Sequence, residues 1–179
     1  AVGQAYGGST VVYTGTSLHA PERVIRNWDV PGLEHDDVAR RSKGFADDNN
    51  VHLLDDIEIN DNNRLFRDGA VAAGVTPEHV PVNGRGCKGS SLCNLGCPNG
   101  AKQGTHKVQL PLAERAGVEV VTRADVVGIG EKQVHVRIGR TEPGSLGEPS
   151  EWEPGEYQVK AEAIVLAGGV LGTPPLLVH

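Results

Sequence analysis

The stretch Ala163-Ile164-Val165-Leu166-Ala167-Gly168-Gly169-Val170-Leu171-Gly172-Thr173-Pro174-Pro175-Leu176-Leu177 decides the class of fold. An unbroken apolar run closed by two glycines reads as a strand, Ile164 to Ala167, buried on both faces as in parallel sheets. A helix start is expected at Thr173-Pro174, because proline has no N–H to lose in a first turn. A strand, turn and helix in this order either aims helix N-terminal amides at a ligand edge or a phosphate or serves as a tight packing crossover.

At the other end, Gly3-Gln4-Ala5-Tyr6-Gly7-Gly8-Ser9-Thr10-Val11-Val12-Tyr13 sets small residues where a planar or phosphorylated ligand can approach the main chain. Glycine allows that contact because it has no Cβ, and the freed N–H groups can bind anionic oxygens, although the same residues alone also make a plain glycine-rich turn. Between these two ends the sequence divides into segments 1–30, 31–85, 86–117 and 118–179. Acidic residues crowd Pro31 to Asp61 and read as a solvated face around a short helix, Val38 to Phe45. A second helix is expected from Asn62 to Ala73, capped by Asn62 or Asn63 and ended by Gly74, with Leu65, Phe66 and Ala70 at helical spacing. A third runs from Leu110 to Ala116 and ends at Gly117. Strands are expected at Val118 to Thr122, Val126 to Ile129, Val134 to Ile138 and Tyr157 to Lys160, with Thr141 to Gly155 as a long hairpin connection.

Composition narrows the function. The 179 residues carry a net charge of -6, which argues against a nucleic-acid partner, since phosphate neutralisation needs a basic face. Only 38% of residues are hydrophobic and 4% aromatic, against 24 glycines and 11 prolines, so turns and close backbone approaches must be numerous. No apolar stretch approaches the roughly 20 residues that span a bilayer. The chain has no Met and begins at Ala1, from which further sequence upstream is expected. No signal pattern is visible there, and neither a cytoplasmic nor a periplasmic location is assigned.

The two glycine motifs, their order and the material between them resemble the glucose-methanol-choline (GMC) oxidoreductases. The opening motif and its continuation through Thr14-Gly15-Thr16 to Trp28 resemble that family's flavin-facing segment and lid, and Gly168 to Leu177 resembles its second signature. Asn94 to Thr105, followed by Leu110-Pro111-Leu112, is similar to the variant in bacterial alcohol and long-chain alcohol oxidases or dehydrogenases. The resemblance implies an α/β fold, part of a Rossmann-like FAD-binding domain with part of a separate, sheet-based substrate domain. It implies FAD contacts at Gly7, Gly8, Ser9, Thr10, Tyr13 and Thr14, the adenine at Val126, and the pyrophosphate or ribose at Ala167 and Gly168. The implied reaction is oxidation of a small-molecule alcohol to a carbonyl by hydride transfer to flavin, with oxygen or an external electron carrier reoxidising it.

Two departures accompany the resemblance. Tyr13 stands where the family commonly has Asn, and the Gly-x-Gly-x-x-Gly fingerprint and the catalytic His are both missing, so no catalytic residue is assigned in this chain.

Cys87, Cys93 and Cys97 form a spaced cluster open to three readings: ligands of an Fe-S cluster, a disulfide, or free thiols. The first would make the protein an Fe-S-containing dehydrogenase subunit passing electrons to a cytochrome. Lys88, Lys102 and Lys107, nearby, could favour thiolates but are expected to be solvated. A catalytically inactive flavin-fold fragment is the remaining alternative.

Overall fold

The computed structural model describes residues 4–142, 144 and 147–178, so Gly3 of the opening motif, Pro143, Ser145 and Leu146 of the hairpin connection, and His179 lie outside the described residues. The chain divides into two compact units, Ala1–Val118 and Glu119–His179. Together they make a mixed α/β chain of short helices and small antiparallel sheets.

In the first unit the spine is the segment 81–85. Its strand β2 (Val82–Asn83) pairs antiparallel with β1 (Val51–His52), matching Val51 to Asn83 and His52 to Val82. It also receives Thr16 opposite Val82, and Lys102 opposite Gly84. Backbone bonds from Asn83 N to Gly15 O (2.9 Å) and from Gln103 N to Asn83 O (3.0 Å) fasten two distant loops to that spine. The unit also holds α1 (Glu22–Trp28), α2 (His35–Asp48), α3 (Asp61–Ala72) and α4 (Gln109–Arg115), with α2 packed on both α1 and β1.

Helix α2 extends beyond the expected Val38 to Phe45. Its added first turn carries Asp36 and Asp37, which suit the positive end of the helix dipole. Helix α3 begins earlier than expected, because the cap is Asn60 rather than Asn62 or Asn63: its Oδ1 accepts from Asn63 N at 2.9 Å. The expected end holds, with Gly74 at φ 78 and Val75 N bonded back to Ala70 O. The helical spacing of Leu65 and Phe66 does not bury them; they are 73% and 74% exposed. Apolar burial in this unit is sparse, with Ile25 and Ala101 its fully buried hydrophobic residues among those described, beside the polar Asn49, Asn83 and Lys102.

The second unit is a three-stranded antiparallel sheet, β3 (Ala124–Gly130), β4 (Gln133–Ile138) and β5 (Gly155–Lys160), in sequential order. Val136 and Ile138 alternate inward along β4 and are buried. The β3–β4 register shifts between Val126 and Gly128, a bulge that leaves Val127 unpaired. The connection from β4 to β5 is held by Trp152, whose ring lies 4.9 Å from that of Tyr157 and whose Nε1 donates to Glu119 Oε1 at 2.7 Å.

Two strand expectations fail for one reason. Val118 to Thr122 and Ile164 to Ala167 have strand-like composition but join no ladder among the described residues, and Val165 is 87% exposed. A strand is completed by a neighbour's edge, which composition alone does not supply. Helix α5 (Gly169–Leu177) begins four residues before Thr173, so Pro174 and Pro175 fall inside it rather than at its start. Each proline removes the donor for a carbonyl one turn earlier, a loss that solvent makes good because Val170 and Leu171 are exposed.

Asn60→Ala removes the α3 cap and should destabilise the folded protein by about 1 kcal/mol. Urea denaturation followed by circular dichroism checks this, and an unchanged midpoint would contradict the capping role.

Candidate functional site

Residues 7–14 form a short, tightly held loop. Gly7 caps the 3₁₀ turn Gly8–Val11 at φ 97, and Gly8 follows at φ 56. Both values lie in the left-handed region that side chains disfavour. The two glycines serve different needs. A Cβ on Gly7 would sit 2.7 Å from His106 Cβ, whereas one on Gly8 would meet nothing within 4 Å. Gly7 is thus closed by packing, and Gly8 faces open space.

Thr10 fixes the first half of the loop. Its hydroxyl donates to Gly7 O at 2.6 Å, lies 2.9 Å from Thr105 Oγ1 and accepts from Thr105 N at 3.1 Å. Thr105 Oγ1 in turn reaches Gly7 O at 3.0 Å. Ser9 and Thr14 are exposed, and Thr14 Oγ1 donates to Thr16 Oγ1 at 3.1 Å.

Lys102 fixes the second half. It is 5% exposed, and its Nζ donates to Val11 O, Tyr13 O and Cys93 O, each at 2.7 Å. It also stands 5.1 Å from the centroid of the Tyr13 ring. The expectation of a solvated side chain therefore fails for Lys102, while Lys88 and Lys107 are exposed. Desolvation holds the Lys102 ammonium below its usual pKa, opposed by the nearby thiols of Cys93 and Cys97. Tyr13 is half-buried; burial raises its phenol pKa, and hydrogen bonding with Ser17 and Asn83 offsets part of that rise. Asn83, which sequence reasoning did not single out, is buried, donates to Gln103 O at 2.6 Å and leaves its Oδ1 unpartnered beside Gly15.

The three cysteines are free thiols, so the disulfide reading fails. Among the described residues no group of three His, Cys, Asp or Glu side chains is placed to hold a metal ion, so Cys87, Cys93 and Cys97 are not brought together as a ligand set. They do local work instead. Cys97 Sγ accepts from Ala101 N at 3.3 Å, and Cys87 Sγ from Gly89 N at 3.5 Å. Burial acts to raise the Cys97 pKa, but the N–H groups of Lys102, Ala101 and Asn99 and the Lys102 charge outweigh it, and the thiol is net more acidic than usual.

In the second unit, Val126 lies on β3 at the edge of the bulge and is 39% exposed. Ala167 and Gly168 are exposed, and Gly168 caps α5. A Cβ on Gly168 would come within 3.1 Å of Gly172 C and Thr173 N, so that position has little room for a side chain.

The GMC oxidoreductase family profile matches residues 1–179. The chain is 33% identical to an uncharacterized GMC-type oxidoreductase of Mycobacterium tuberculosis over 98% of its own length and 27% of the relative's. It is 23% identical to the long-chain-alcohol oxidase FAO4B of Arabidopsis thaliana over 98% of this chain and 24% of that protein. A GMC-type oxidoreductase of Sinorhizobium fredii is 29% identical over 63% of the chain and 22% of the relative. No solved structure matches the chain significantly. The chain belongs to the GMC oxidoreductase family, whose members are generally FAD-dependent oxidoreductases, and it spans about a quarter of the length of the curated relatives it matches.

His106 supplies a pH signature for this loop. Its half-buried ring leaves Nδ1 unpartnered, and desolvation, then the charges of Lys107 and Lys102, lower its pKa from the usual value near 6.5. The folded state therefore binds fewer protons than the unfolded state between that lowered pKa and 6.5. Stability from this group is complete above about 6.5 and falls as pH drops through the lowered pKa. His106→Gln should flatten that part of the stability profile, and an unchanged acid slope in denaturation experiments would refute the assignment.

Proposed function

We propose that this segment holds FAD for the oxidation of an alcohol to a carbonyl compound. The observation that carries the reading is the open turn at Gly8. Gly8 is partly exposed at a left-handed φ of 56, and an added Cβ would touch nothing within 4 Å. A loop that is locked from behind yet bare in front suits close approach by a flat ring system. Family membership gives that opening its ligand.

In this reading Gly7, Gly8, Ser9 and Thr10 line the flavin face, Gly8 with a surface free of any side chain and Ser9 with an exposed hydroxyl, while Tyr13 and Thr14 bound the same face. Val126 meets the adenine, with the bulge beside it leaving Val127 unpaired at the strand face. Ala167 and Gly168 offer a surface without bulky side chains to the pyrophosphate or ribose, next to the first amides of α5. FAD, when bound, supplies hydride acceptance from the alcohol carbon. This chain's residues bind and orient; none is assigned as the base. The named activity of the Arabidopsis relative favours a long-chain alcohol as substrate. Among the described residues no helix is long and apolar enough to cross a membrane.

The test is the absorption spectrum of the full-length purified protein. Oxidised flavin bands near roughly 375 and 450 nm are expected of any bound flavin. Gly8→Val should cut FAD affinity by at least about tenfold, equivalent to 1.4 kcal/mol. Gly32→Ala, another left-handed glycine with open space around its Cβ position, should leave affinity unchanged. A colourless wild-type protein that cannot be reconstituted with FAD would sink the proposal.

A further inference from the structure

We propose that Lys102 is a positioning residue for the flavin-facing loop, fixing the path of residues 7–14 from beneath; its consequence for FAD rests on the reading of that loop given above. Three observations carry it. The ammonium is 5% exposed, and no carboxylate forms an ion pair with it among the described residues. Its three hydrogen bonds all go to main-chain carbonyls, at 2.7 Å each. Two of those carbonyls, on Val11 and Tyr13, belong to the candidate loop, and the third belongs to Cys93 in the 3₁₀ turn Cys93–Leu95.

The chemistry matches the count. An ammonium has three N–H groups and no acceptor, so three carbonyls saturate it. A neutral amine has only two N–H groups and would leave one carbonyl without a donor, which favours the charged form in spite of desolvation. One side chain thereby ties the second half of the loop to a segment some 80 to 90 residues later, while the Thr10 and Thr105 hydroxyls tie the first half. Because no carboxylate neutralises it, the same ammonium leaves a positive charge under the face assigned to the flavin. Positive charge there favours added electrons on a bound cofactor.

Hydrogen exchange of the loop amides, measured by mass spectrometry on the full-length protein with and without FAD, tests the proposal. Lys102→Met should speed exchange in residues 7–14 by at least about tenfold. It should also weaken FAD binding and lower the midpoint potential of whatever flavin remains bound. Asn60→Ala, a destabilising change elsewhere in the same unit, should alter none of these three readouts. Lys102→Ala with added ethylammonium should recover slow exchange, and with tetramethylammonium, which has no N–H, should not.

If Lys102→Met fails to fold, the amine comparison in Lys102→Ala decides. Recovery with ethylammonium alone supports the proposal, and recovery with neither or with both overturns it. Wild-type exchange rates in a folded Lys102→Met protein overturn it as well. Faster exchange in a protein that takes up no FAD would instead sink the flavin reading and leave the loop-fixing role intact.

Discussion

One buried ammonium donates its three protons to three carbonyl oxygens, each 2.7 Å from the nitrogen, and the path of the candidate loop depends on that meeting. Lys102 sits opposite Gly84 on the central spine, so the residue that reaches up to Val11 and Tyr13 is itself anchored in the small sheet. The magnitudes explain why such an arrangement specifies geometry more than it adds stability. Charge-assisted hydrogen bonds contribute about 1.5–3 kcal/mol each. Burying the charge costs several kcal/mol. The two effects are of similar size, so an apolar side chain of the same volume could serve stability as well but would not dictate where the three carbonyls lie.

That constraint accounts for much of the local sequence. Gly7 must lack a Cβ because His106 packs against it, and Gly104 must lack one because His106 Nδ1 and Thr10 O would lie 2.8 and 3.0 Å from it. Gly15 is crowded at 3.0 Å by Asn83 Oδ1. With so few fully buried hydrophobic residues in this unit, polar side chains aimed at main-chain groups do the specifying that a jigsaw of aliphatic packing does elsewhere. Asn49, Asn83, Thr10, Thr105 and Lys102 form that polar interior.

Legibility from sequence followed the range of the interaction concerned. The strand-like run Val134 to Ile138 and the glycine stops at Gly74 and Gly117 are local, and the structure has them, whereas the alternation of Val118 to Thr122 finds no partner edge. Asn60 was missed as a cap because three asparagines lie within four positions, and only the observed bond to Asn63 N selects among them. Ile164 to Ala167 has the composition of a buried strand, but pairing depends on an edge elsewhere. Lys102 was hardest to read. A lysine beside other lysines in a polar loop has every local mark of a solvated residue, and its burial arises from carbonyls supplied by distant segments. The family resemblance was legible because the glycine motifs are contiguous, whereas the lysine that holds one of them in place shares no local pattern with it.

The most direct measurement of this account is the lysine side-chain Nζ spectrum of the 15N-labelled protein by NMR near neutral pH. The account predicts one ammonium whose protons exchange with water slowly enough to be seen, lost in Lys102→Met and retained in Lys107→Met. If every lysine ammonium exchanges at the rate of a solvated side chain, Lys102 does not hold three carbonyls, and the loop at Gly7 to Thr14 is held in place by something else.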